Sequence, residues 1–150
     1  VAPDRLRERW ETRAAALTAT VLVLGGVGMG WLTSPHTPEA PMHVAQEFLR
    51  RLEARQFEQA FELTVRQGAV GRTPEELRAL SERALCRVGA PVSTHPPQSQ
   101  GNRLRRRLSG REVEMPEVRV EFAGGCLLGV TVVFTADRQW RVSRFASHAG

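Results

Sequence analysis

Residues 116–145 read PEVRVEFAGGCLLGVTVVFTADRQWRVSRF, and the period of two in this stretch decides the fold class. Val118, Val120 and Phe122 alternate with Glu117, Arg119 and Glu121, the pattern of a strand with one buried and one wet face. Ala123-Gly124-Gly125 turns the chain. From Cys126 to Thr135 a second strand places Cys126, Leu128, Val130, Val132 and Phe134 on one face, and its mixed second face suits a central position in a sheet. Ala136-Asp137-Arg138 leads into a third strand, Gln139 to Phe145, headed by Trp140 and Val142. The economical arrangement is a three-stranded antiparallel meander packed on helices.

Upstream the period becomes helical. Val44, Phe48, Leu49 and Leu52 recur at three and four residues, and after Ala54-Arg55-Gln56 come Phe57, Ala60, Phe61 and Val65, giving two consecutive amphipathic helices or one bent helix. Gly68 and Gly71 open a loop. Thr73-Pro74-Glu75-Glu76 starts another helix, because a Thr cap, Pro at the first helical position and Glu at the third satisfy or remove orphaned amides. Its stripe of Leu77, Leu80, Ala84 and Val88 ends at Gly89-Ala90-Pro91. Residues 92–111, rich in Pro, Ser, Gln, Gly and Arg, are expected to form a long connection with room for one strand through Arg103 to Leu108. The fold class is therefore α+β: two or three helices packed on an antiparallel sheet, over residues 42–150.

The N-terminal part follows another rule. Ala14 to Leu32 holds no charged residue, and as a helix it would measure close to 30 Å, the thickness of a bilayer's hydrocarbon core. Thr18, Thr20 and four glycines dilute its Leu and Val, so a cleaved secretory signal competes with a retained anchor. The run exceeds the roughly 7 to 15 residues of a signal core, and Gly28-Met29-Gly30 is a poor cleavage site, which favours the anchor. Arg5, Arg7, Arg9 and Arg13 precede the span, and the next cation is Arg50. This asymmetry puts residues 1–13 in the cytoplasm, the transmembrane helix at 14–32, a Pro-rich stalk at 33–41 and the domain in the periplasm of a bacterial inner membrane. Trp31 suits a membrane interface, and Trp10 suits either an interface or an ordinary surface.

The order of elements, with Ala45, Phe48, Leu49, Leu52, Phe57, Ala60 and Phe61 on the helices and Asp137-Arg138-Gln139-Trp140-Arg141-Val142 at the closing strand, resembles the nuclear transport factor two-like, cystatin-like superfamily. The resemblance implies a curved sheet wrapped on a long helix to form a cone. It also implies one of two roles, a membrane-tethered domain within a larger assembly such as a secretion apparatus, or a small-ligand or enzymatic cone. The Arg55-Gln56 junction departs from the small or acidic turn usual there.

Few residues point to chemistry. The inward strand positions are apolar, and His36, His43, His95 and His148 are too scattered for a metal site, so neither catalytic residues nor a cofactor is expected. Cys86 and Cys126 are the only cysteines, and an oxidising compartment would allow a disulfide between them. On an ideal helix, however, Cys86 lies opposite the apolar stripe, so either the helix ends before it or the two thiols stay free. Arg103, Arg105, Arg106 and Arg107 are the densest charge cluster. They suit a solvated surface, an anionic lipid headgroup or an acidic partner. The net charge of +5 is carried by arginine alone, with no lysine in the chain, so single arginines mean little, and nucleic acid is not an expected partner for a periplasmic domain. Ala15, Ala19, Leu22, Gly26 and Gly30 share one face of the membrane helix, a surface suited to close packing with other membrane subunits.

Overall fold

A computed structural model describes residues 3–86, 88–111 and 115–148, with side chains from residue 16 onward except those of Val88 and His148. Among the described residues five α-helices and six strands follow in the order α1 (Pro3–Thr33), β1 (Pro35–His36), α2 (Glu39–Glu53), α3 (Phe57–Glu62), α4 (Pro74–Ala84), β2 (Val88–His95), β3 (Gln98–Ser99), α5 (Gln100–Leu108), β4 (Glu117–Gly124), β5 (Leu127–Phe134) and β6 (Trp140–His148), with a 3-10 turn at Gly68–Val70. The domain is α+β. Its main sheet is antiparallel in the order β2-β4-β5-β6, and α2 packs against all four strands.

The meander lies where the period of two put it, with Val118, Val120, Leu128, Val130, Val132 and Val142 fully buried. Two members of the expected dry face fall outside the core proper: Cys126 precedes β5, and Phe134 is half-buried at the strand's far end. Against the sheet α2 sets Ala45, Phe48, Leu49 and Leu52, and Phe48 meets Phe145 edge to face at 5.4 Å between centroids. The β5–β6 register slips between Thr131 and Val132, leaving Ser143 as the extra residue, and such bulges bend a strand. The outer edge of β6 is partly covered by the chain leaving α3: Val65 N–H donates to Val142 O and Val142 N–H to Leu63 O, at 3.0 and 2.8 Å. This covering leaves less unpaired edge for another strand to join.

α2 and α3 are separate helices, broken where Arg55 takes a left-handed φ of 57°. Across the break Arg51 donates to Gln59 O at 2.8 Å, while its Nε shares Glu47 with the Arg50 guanidinium at 2.7 Å. Hydrogen bonds from Arg50 and then Arg51 hold the Glu47 carboxyl at about 2, below its usual 4.5. A depressed carboxylate contributes stability above its unfolded pKa and loses it as pH falls towards the folded one. Glu47→Gln is expected to cost about 1 kcal/mol at pH 7, small because solvent screens the site. The difference should vanish as pH drops from 4.5 to about 2, checked by thermal unfolding of both proteins across that range.

α4 begins as expected. The Thr73 hydroxyl accepts from Glu76 N–H at 3.2 Å, and the Glu76 carboxylate reaches back to Arg72 N–H at 2.8 Å. It ends at Ala84, earlier than its stripe implied, and Leu85 is already extended.

Three expectations are corrected. Val88 to His95 form a strand instead of a helix end and a loop, pairing with β4. Gly89 and Pro91 look like breakers, but β2 is an edge strand, where a missing donor and an irregular register are tolerated. Arg103 to Leu108 belong to helix α5, not a strand; Ser99 caps it, accepting from Asn102 N–H at 3.3 Å. The stretch 33–41 is not a free spacer, since β1 pairs with β3 and α2 already starts at Glu39. Pro41 fits inside α2 because the first turn has no use for its missing N–H.

Candidate functional site

The apolar N-terminal helix α1 and the arginine-bearing helix α5 meet at the junction of α1 with the domain. Ala16–Thr33 has a mean hydropathy of 1.6 and none of it is buried, so this one N-terminal helix is long and apolar enough to cross a membrane. At about 1.5 Å per residue these 18 residues rise about 27 Å. Two of its hydroxyls are satisfied by their own helix: Thr20 donates to Ala16 O at 2.8 Å and Thr33 to Met29 O at 3.0 Å. Ala19, Leu22, Gly26 and Gly30 stand exposed, and no other group lies within 4 Å of a Cβ built on Gly26 or Gly30. The Ala15 side chain lies outside the described residues, as do those of Arg5, Arg7, Arg9, Trp10 and Arg13.

α1 does not hang on a loose tether. Gln100 N–H donates to Ser34 O at 3.0 Å, and β1 pairs with β3 just beyond. α5 then crosses the end of α1 so closely that a Cβ on Gly101 would stand 3.0 Å from Leu32 O. Arg106 donates to Gln98 Oε1 at 2.8 Å, fastening α5 back onto the β1–β3 ribbon. The arginine cluster therefore sits on a short helix held against the end of the candidate span.

Beside this junction opens a cleft of about 570 Å³. Met115, Val118, Phe134 and Trp140 give it an apolar lining, with the two aromatic rings edge to face at 5.3 Å, while Arg103 and Arg138 bring cations to it. The sequence pattern did not reveal this cleft, because its lining comes from β1, the start of α2, β3, α5, the start of β4 and the β5–β6 hairpin, which meet only in the fold.

Elsewhere polar groups pair structurally. Ser93, His95 and Glu121 meet across β2 and β4, with Ser93 Oγ 3.2 Å and Glu121 Oε2 3.3 Å from the same His95 Nε2. A hydrolytic triad needs its carboxylate on the other ring nitrogen, so this set has the residue types without the relay. The Ser93 hydroxyl bond, with His95 and Arg119 nearby, holds the Glu121 carboxyl below its usual range and fully ionised at neutral pH. Asp137 is likewise lowered, by Thr135 and Arg141, and serves the β5–β6 turn. Cys86 and Cys126 are joined in a disulfide with Cα atoms 6.0 Å apart, geometry made accessible by the early end of α4. No group of three or more His, Cys, Asp or Glu among the described residues converges as metal ligands would.

Comparison with known families, curated proteins and solved structures finds no match. Functional inference therefore rests on the junction itself.

Proposed function

We propose that this chain is a non-enzymatic, single-pass accessory or scaffold subunit of a bacterial inner-membrane complex, of the respiratory, photosynthetic or secretory kind. The N-terminus is cytoplasmic in this reading and the domain periplasmic, following the arginine asymmetry. The observation that carries it is that no residue of Ala16–Thr33 is buried, beside a domain whose core is closed without that helix. A helix the domain does not need is available to lipid and to other membrane helices, and its small-residue face permits close approach. The packing of α2 across the sheet supports reading the domain as a tethered member of the nuclear transport factor two-like superfamily. Purification of the tagged full chain in mild detergent tests this. Other membrane subunits should accompany it in fixed proportion, and recovery as a lone monomer would refute the reading.

The cleft favours a second reading, a tethered small-ligand-binding cone. Trp140 emission should then respond to a bound apolar anion and Trp140→Phe should abolish the response; a panel of such anions without effect rules it out.

A further inference from the structure

α5 carries an amphipathic pattern in addition to its cap and its contact with α1. Its sequence is QGNRLRRRL, with four arginines and no acid. At 100° per residue Gly101, Leu104 and Leu108 share one face, Arg105 and Arg107 flank it, and Arg103 and Arg106 lie towards the cleft and the β1–β3 ribbon. Gly101 is the residue that abuts Leu32, so the leucine face continues from the contact with α1. Leu104 is 39% exposed and Leu108 79%. A single exposed leucine is ordinary, and arginines in a last turn complement the helix dipole. Neither accounts for two leucines one turn apart, aligned with the contact to a membrane-length helix and bracketed by cations.

An apolar stripe with arginine flanks is the composition of a helix lying in a membrane interface. Position supplies the second observation. Gly101 touches Leu32 at the end of the Ala16–Thr33 window, so a bilayer around α1 would bring its surface to α5. We infer that α5 is an interfacial helix: Leu104 and Leu108 enter the boundary between headgroups and acyl chains, and the arginines hold anionic phospholipid headgroups. This rests on the reading that α1 crosses the membrane. The β1–β3 ribbon and the Gln100–Ser34 hydrogen bond then couple the bilayer surface to the base of the domain, fixing how the domain stands over the membrane. A soluble acidic protein would match the arginines but leave the leucines in water, so the lipid surface is the better occupant.

The test uses the full chain in nanodiscs with single nitroxide labels at Leu108→Cys, at Val23→Cys inside the span, and at Glu58→Cys on α3 as a water-exposed reference. Collision with oxygen is compared with collision with a water-soluble nickel chelate. In discs of phosphatidylcholine containing phosphatidylglycerol, the label at 108 should favour oxygen, between the values at 23 and 58. Arg105→Gln and Arg107→Gln should each lower the ratio of inserted to solvated helix roughly fivefold, and removing phosphatidylglycerol should act in the same direction. A label at 108 as open to nickel as that at 58, while the label at 23 stays in lipid, overturns the interfacial helix and leaves the span intact. A water-exposed label at 23 overturns both. Protection at 108 that appears only when an acidic protein is added, and not with lipid, overturns the lipid assignment.

Discussion

Replacing Phe48 with alanine is expected to lower the unfolding free energy by about 3–5 kcal/mol, the range for removing a large buried ring. Phe48 is fully buried at the centre of α2, packs on Phe145, and belongs to the only large apolar face α2 offers the sheet among the described residues. Such a loss consumes much of the roughly 5–15 kcal/mol that keeps a domain folded. Thermal unfolding of the full chain in detergent reads the effect, with Val92→Ala on the exposed edge strand as the comparison, since Val92 is 59% exposed. Surface changes of that kind stay within about 0.5 kcal/mol. Equal shifts for the two variants would mean that α2 is not the organising helix.

Breaking the Cys86–Cys126 bond should cost about 2–4 kcal/mol. It closes a loop with a sequence separation of 40, which spans β2, β3, α5 and β4, and the chain-entropy account puts such a loop near 4 kcal/mol before any native-state relaxation. The elements inside the loop include α5 and the edge strand, both poor in buried side chains of their own. Their attachment therefore depends on the bridge more than the meander's does. Under reducing conditions, or in Cys86→Ser, hydrogen exchange should rise over 88–108 before it rises over 127–145. Uniform loosening, or no change in stability, would contradict this.

The parts legible in the sequence are those where one period dominates. Val118 to Phe122, Leu128 to Val132 and the Thr73 cap each repeat a local rule, and the fold obeys it. The missed elements follow from tertiary context. β2 holds Gly89 and Pro91, breakers in isolation, and only its place at the sheet edge lets them stay. α5 was hidden by arginine, which says little in a lysine-free chain, although Ser99 as a cap and Leu104 and Leu108 one turn apart were signals that could have found it. The prolines of 33–41 do not make a spacer because proline breaks a helix only past its first turn, and Pro41 falls in the first turn of α2. The cleft brings together Met115, Phe134 and Trp140, whose joint meaning exists only after folding.

In the function proposed above, α1 meets other proteins in the membrane and does more than anchor the domain. Photo-crosslinking from within the span, in native membranes, tests it most directly. Leu22 and Leu24 are about equally exposed, at 70% and 66%, yet lie on opposite sides of the helix, Leu22 with Ala19, Gly26 and Gly30. A photoreactive residue at 22 should yield one discrete protein adduct, and the same residue at 24 should yield lipid adducts. Lipid adducts alone from both positions would contradict the docking role and leave α1 as a simple anchor.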